Sequence, residues 1–147
     1  MVNRIIAVSG EKNSGKTTLI SRLLPLLTEK GLNVAVIKHD GHSFSPDVPG
    51  TDTHAFLQAG AVGAAVYDGE KFMLTRKVSV CADFLISQFP DADLIIIEGL
   101  KNSSLPKLML KDGMAYSSFS GDIFDRDDVE KIAGFISAWV KGDADNA

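Results

Sequence analysis

Gly10-Glu11-Lys12-Asn13-Ser14-Gly15-Lys16-Thr17 decides the fold of this chain, because it sets Gly, four free positions and Gly-Lys-Thr between a strand pattern and a helix pattern. The glycines permit backbone angles that turn a run of N–H groups inward around a phosphate. Lys16 is spaced to reach the β- and γ-phosphates, and the Thr17 hydroxyl to ligate Mg²⁺. The helix that follows points its positive end at the same anion. Upstream, Arg4-Ile5-Ile6-Ala7-Val8 reads as a buried strand, and residues 18–30 read as a helix with Leu19, Ile20, Leu23, Leu24 and Leu27 on one face. The stretch therefore predicts nucleoside-triphosphate binding by Gly10, Glu11, Lys12, Asn13, Ser14, Gly15, Lys16, Thr17 and Thr18, with Lys16 also a catalytic candidate.

Outward from this loop, strand and helix patterns alternate. Pro25 predicts a kink in the first helix, and Gly31 a C-terminal cap. Residues 33–38 form a second short strand. From His39 to Gly50 the apolar pattern stops, leaving a loop of about twelve residues, long enough to suggest function. A short helix over 52–59 and two strands over 61–67 and 71–76 follow, the strands joined at Asp68-Gly69. A third helix is expected over 80–89, with Cys81 at a core position on it. Asp93-Leu94-Ile95-Ile96-Ile97-Glu98 is apolar at four successive positions, which fits a strand covered on both faces of a parallel sheet. Residues 107–110 add another strand, and 127–140 a final helix on which Trp139 is a packing anchor. The expected architecture is α/β, a P-loop NTPase-like, mostly parallel sheet flanked by helices, with a β-hairpin extension. All 147 residues read as one nucleotide-binding domain, with 141–147 a polar tail.

In such a sheet, ligands sit at the carboxyl ends of the strands. The acids of the 93–98 strand lie roughly 16 Å apart at about 3.3 Å per residue, so only one of them reaches the phosphates. Because the phosphate loop follows the carboxyl end of its own strand, Glu98 is the Mg²⁺ candidate beside Thr17, directly or through a water, and a catalytic candidate with Lys16, while Asp93 is an exposed strand-entry residue. Lys38 and His39 leave the second strand on the same side. His39 and Asp47 are the catalytic candidates of the following loop, for positioning water or the outer shell of Mg²⁺. His39 and His42 among acids also match part of a transition-metal pattern, without a thiolate or a clear third ligand.

Composition narrows the function classes. A net charge of −4 without a basic stripe argues against nucleic-acid binding. One cysteine excludes an internal disulfide and fits a reducing compartment. No apolar run approaches the roughly 18 residues needed to span a bilayer, and the amino-terminal pattern is not that of a signal peptide. A cytoplasmic location without membrane contact is the expectation.

Several stretches together resemble the molybdopterin-guanine dinucleotide biosynthesis protein B family. They are Gly10 to Thr18, Lys38-His39-Asp40-Gly41-His42-Ser43-Phe44, Asp47-Val48-Pro49-Gly50-Thr51-Asp52-Thr53, Ala59-Gly60-Ala61, and Asp93 to Gly99 with Lys101 and Pro106-Lys107. The resemblance spans about residues 3–110 and more weakly the last helix. It implies a GTP-binding accessory protein with weak Mg²⁺-dependent hydrolysis in molybdenum cofactor maturation. It further implies a homodimer that assists the molybdopterin nucleotidyltransferase joining GMP to molybdopterin. The Glu98-Gly99-Leu100-Lys101 strand end adds Lys101, with Lys38, to the nucleotide-binding candidates. Two positions depart from the family: Thr51 stands where a lysine is frequent, and Leu57 where an arginine is. The segment after Leu110 reads as short for the family, lacking a strand and part of the base-recognition loop.

Guanine recognition has no sequence signature here, since neither Asn-Lys-x-Asp nor Thr-Lys-x-Asp stands at a strand end. The alternatives are a small-molecule kinase, and a nucleotide-gated adaptor or metallochaperone-type GTPase. The kinase calls for a lid rich in arginines, whereas Arg4, Arg22, Arg76 and Arg126 are scattered along the chain.

Overall fold

The computed structural model describes residues 4–41, 44 and 48–143. The chain divides into two compact units, one of Met1–His39 with Ala82–Ala147 and the other of Asp40–Cys81.

The larger unit is built on a six-stranded sheet. Its strands are β1 (Arg4–Gly10), β2 (Val34–Lys38), β5 (Leu94–Glu98), β6 (Lys107–Lys111), β7 (Met114–Ser117) and β8 (Ile123–Asp125), in the order β2-β5-β1-β6-β7-β8. The first four strands of that order are parallel, and β7 and β8 complete the sheet antiparallel. The apolar run of β5 is buried at every position because it faces two cores. Leu94 and Ile96 join the larger core with Ile6, Val8, Leu23, Leu27, Ile132 and Ile136, under α1 (Lys16–Glu29) and α4 (Val129–Lys141). Ile95 and Ile97 point the other way, with Ile37, toward Leu85 and Ile86 of the short α3 (Ala82–Ile86). Each such side chain contributes about 1.5–3 kcal/mol by leaving water.

Local chemistry sets the helix ends. Helix α1 runs through Pro25, and at its close Gly31 (φ 84°) donates its N–H to Thr28 O while Leu32 donates to Leu27 O, the paired bonds of a glycine-terminated helix. Helix α4 begins where the Asp128 carboxylate accepts the Lys131 N–H and stops at Gly142 (φ 79°). Trp139 packs against Phe119, their ring centroids 5.0 Å apart, and the Arg4 guanidinium lies 5.3 Å from the Trp139 ring.

The smaller unit holds α2 (Asp52–Gln58) and an antiparallel ribbon of β3 (Gly63–Tyr67) and β4 (Phe72–Arg76). The ribbon turns through four residues, 68–71, rather than through Asp68-Gly69 alone. Asp68 Oδ1 accepts the N–H groups of Glu70 and Lys71 and organises the turn. The Lys71 ammonium, followed by those two N–H groups, holds the Asp68 carboxyl below its ordinary value.

Four expectations are corrected. Cys81 is exposed, not core, because the third helix starts only at Ala82 and spans five residues. Asp93 is partly buried, and its carboxylate accepts the Asn33 N–H at 2.7 Å, tying the start of β5 to that of β2. The segment after Leu110 carries two further strands where none was expected. They were legible at Asp112-Gly113, whose φ angles of 52° and 78° make a two-residue hairpin turn between Lys111 and Met114. The scattered arginines are the fourth correction, since Arg22 and Arg126 meet at one carboxylate in the site described next. Among the described residues, no helix is long and apolar enough to cross a membrane.

Candidate nucleotide site

Strand β1 ends at Gly10 and α1 begins at Lys16, so the phosphate loop bridges the middle of the sheet and a helix amino terminus. Gly15 takes φ 94° and Asn13 φ 63°, the left-handed geometry that curls such a loop. A Cβ at Gly10 would stand 2.8 Å from the Leu110 carbonyl oxygen and 2.6 Å from Ser14 Oγ, so only glycine fits there. The Lys16 ammonium folds back to donate to Gly10 O at 2.9 Å and Glu11 O at 3.0 Å, holding its charge over the loop.

Two observations suit an anion in this loop. The first intrahelical bond is Leu19 N–H to Gly15 O, so among the described residues the N–H groups ahead of it on Lys16, Thr17 and Thr18 are the open donors of the helix end. Ser14 Oγ is buried and, among the described residues, has no hydrogen-bond partner. A buried orphan hydroxyl costs about 1–3 kcal/mol, which a ligand oxygen would recover.

Beside the loop, the carboxyl ends of three strands converge. Thr17 Oγ1 donates to Glu98 Oε1 at 2.8 Å, joining residues 81 positions apart. Glu98 is 8% exposed, paired in register with Val8 on one side and Lys38 on the other. This set of hydroxyl and carboxylate oxygens is the hard-donor chemistry that Mg²⁺ takes. Behind it, Ser9 Oγ donates to Gly99 O at 2.6 Å, and His39 N–H donates to Glu98 O at 3.0 Å. His39 stands against Gly99, where an added Cβ would approach the His39 carbonyl oxygen to 3.3 Å and Nδ1 to 3.8 Å. Lys101 reaches the opposite lip, its Nζ 3.7 Å from Glu11 Oε1. Both groups are largely exposed, so that pair contributes at most about 1 kcal/mol.

Lys38, His39, Glu98 and Lys101 are thus brought to the loop's end of the sheet, while Lys12, Asn13 and Thr18 lie in the loop and the start of α1. Asp47 and His42 lie outside the described residues. Among those described, no three His, Cys, Asp or Glu side chains form a metal-binding group. The departures at Thr51 and Leu57 have local reasons. Thr51 Oγ1 accepts the His54 N–H at the start of α2, and Leu57 is buried.

Arg126, Asp127 and Lys107 take part here although no sequence pattern assigned them a role in the site. Arg126, between β8 and α4, donates from Nη1 to Ser14 O at 2.9 Å across 112 positions of chain. Its side chain lies 3.3–3.5 Å from where a Gly15 Cβ would be, a second reason for glycine there. Asp127 Oδ1 stands 3.7 Å from Arg126 Nε and 3.9 Å from Arg22 Nη1. Lys107 is buried, and its ammonium donates to Lys101 O at 2.8 Å, Ser103 O at 2.6 Å and Leu100 O at 3.5 Å. It pins the turn that follows Glu98. Lys107 stands among the residues of the family resemblance, and nothing in its spacing indicates this role.

The family described as Molybdopterin guanine dinucleotide synthesis protein B matches residues 5–119. A molybdopterin-guanine dinucleotide biosynthesis adapter protein of Haemophilus influenzae is 32% identical over 110 residues, covering 72% of this chain and 62% of the relative. The chain thus spans less than two thirds of that relative. The Escherichia coli protein of the same description is 27% identical over 163 residues, covering 93% of each. The crystal structure of Bacillus subtilis MobB superposes with a TM-score of 0.63 at 36% identity, over 74% of this chain and 68% of that one. With a family match over most of its length, from the strand before the phosphate loop to beyond Glu98 and Lys101, this chain belongs to the molybdopterin guanine dinucleotide synthesis protein B family.

Proposed function

We propose that the chain is a GTP-binding adapter in molybdenum cofactor biosynthesis. In this reading it binds Mg²⁺-GTP, hydrolyses it weakly, and assists the nucleotidyltransferase that attaches GMP to molybdopterin. The observation that carries the reading is the Thr17–Glu98 hydrogen bond at 2.8 Å beside the Lys16 loop, which unites phosphate-binding and Mg²⁺-binding groups from distant parts of the chain. The relatives' description as biosynthesis adapter proteins supports the pathway.

Each residue has a role that follows from its chemistry. The loop N–H groups and Ser14 Oγ take phosphate oxygens, and Lys16 leaves its carbonyl partners for the β- and γ-phosphates. Thr17 and Glu98 hold Mg²⁺, which supplies charge neutralisation on the transferred phosphoryl group when bound. Lys38 and Lys101 add cations around the phosphates. His39 and Asp47 orient the attacking water, and the loop from His39 to Asp52 responds to the γ-phosphate. With Thr51 and Leu57 in place of cations, that loop contacts Mg²⁺, water or a partner rather than a bare phosphate. The adapter works in the cytoplasm as a homodimer. The apolar side chains exposed on the smaller unit support the dimer, with Tyr67 85%, Phe72 75% and Leu74 58% exposed.

Calorimetry with GTP and Mg²⁺ tests the reading. Binding should be lost in Lys16→Ala while the fold persists, and single-turnover hydrolysis should accelerate on adding the nucleotidyltransferase. Unchanged affinity in Lys16→Ala would remove the nucleotide site. Intrinsic turnover above roughly 1 s⁻¹ would instead indicate a kinase or ATPase.

A further inference from the structure

On the side of the loop away from Glu98, a depression of about 130 Å³ is lined by Gly15, Thr18, Leu19, Arg22, Arg126 and Asp127. Its place along a bound nucleotide follows from the sheet order. Glu98 and Thr17 mark the Mg²⁺ and γ-phosphate end on the β5 side of β1, and Arg126 and Asp127 arrive from the β6-β7-β8 side. The phosphate chain runs from one to the other across the loop, so the depression lies at its α-phosphate end.

The three acids around Arg126 are not equivalent. Asp125 Oδ1 accepts the Asp127 N–H at 2.8 Å, and Asp128 Oδ1 accepts the Lys131 N–H, so both organise backbone. The Asp127 carboxylate has no such duty among the described residues. It meets only Arg22 and Arg126, beyond hydrogen-bond distance, and its side chain is 72% exposed. Two guanidinium groups flank it, and its lone pairs are left for a ligand's donors.

Resting on the nucleotide reading above, we propose that this depression receives the nucleoside end of the nucleotide, with Arg126 at the α-phosphate and the Asp127 carboxylate accepting the base's N–H donors. Guanine presents adjacent donors at N1 and N2 that a single carboxylate accepts together, whereas adenine presents an acceptor at N1. Asp127 therefore supplies the guanine preference for which the chain has no Asn-Lys-x-Asp motif.

Calorimetry in Mg²⁺ with GTP, 2′-deoxy-GTP, xanthosine triphosphate and inorganic tripolyphosphate tests this on the whole chain. In Asp127→Asn, affinity for GTP and 2′-deoxy-GTP should fall by about ten- to a hundredfold, the scale of a lost charged hydrogen bond. Tripolyphosphate affinity should hold or rise slightly, and xanthosine triphosphate, with an acceptor at position 2, should gain. Arg126→Gln should weaken GTP and tripolyphosphate together. A thermal melt matching the wild type shows that the fold survives. Wild-type GTP affinity in Asp127→Asn overturns the assignment, as does a loss for GTP that 2′-deoxy-GTP does not share, which would place Asp127 on the ribose. A wild-type chain that binds neither tripolyphosphate nor GTP sinks the nucleotide reading itself, and this proposal with it.

Discussion

Glu98 ends β5 and Asp93 immediately precedes it, and their surroundings assign them different work. Glu98 faces the Thr17 hydroxyl, while Asp93 accepts the Asn33 N–H at the other end. On the proposed reading, Thr17→Val and Glu98→Gln should therefore weaken GTP binding in Mg²⁺ far more than in EDTA, because the first removes a proposed Mg²⁺ ligand and the second takes away the charge of another. Asp93→Asn should leave affinity unchanged in both buffers and lower stability by about 1 kcal/mol, since only a structural hydrogen bond is weakened. Parallel titrations and urea melts separate the two outcomes, and an Mg²⁺-dependent defect in Asp93→Asn would reverse these assignments. Lys107 belongs at this scale too. Three carbonyls share its ammonium, so the turn carrying Lys101 is held from beneath by a buried charge that is fully hydrogen-bonded.

At the scale of elements, glycines with similar freedom serve different ends. Gly113 has φ 78° in the β6–β7 turn and no atom within 4 Å of an added Cβ. Gly113→Ala should cost only the conformational penalty, about 1–2 kcal/mol, and leave nucleotide affinity intact. Gly10 sits where β1 passes β6, and its added Cβ would meet the Leu110 carbonyl oxygen at 2.8 Å. Gly10→Ala should push the loop off the sheet and lose nucleotide binding. Denaturant melts alongside calorimetry read both, and a Gly10→Ala protein with normal affinity would mean that the loop adapts.

At the scale of the whole molecule, the ribbon of β3 and β4 has too few strands to be stable by its own pairing. Val66, Tyr67, Phe72, Met73 and Leu74 are exposed along it, an arrangement that a second copy of the chain would cover. Sedimentation should give twice the 15.7 kDa of one chain. Phe72→Lys with Leu74→Lys should yield a monomer that still binds GTP, since the phosphate loop lies in the other unit. A wild-type monomer at micromolar concentration would refute the dimer.

What the sequence determined alone lies close together along the chain. The strand, loop and helix around Gly10 to Thr17 are continuous, so glycine dihedrals and apolar periodicity suffice to read them. The apolar run of β5 announced a parallel strand, and strand direction then chose Glu98 over Asp93. Asp112-Gly113 was equally local and went unread because the strands it joins are short and weakly patterned. Cys81 misled in the other direction, since helical spacing says nothing about where a helix begins. Only the tertiary structure brought Arg126 to Ser14, Arg22 to Asp127, and Lys107 under the turn after Glu98. Those pairings depend on the order in which strands lie in the sheet and on which helices share a face. Neither leaves a periodic trace, because each is settled by burial summed over the whole core rather than by any neighbouring residue.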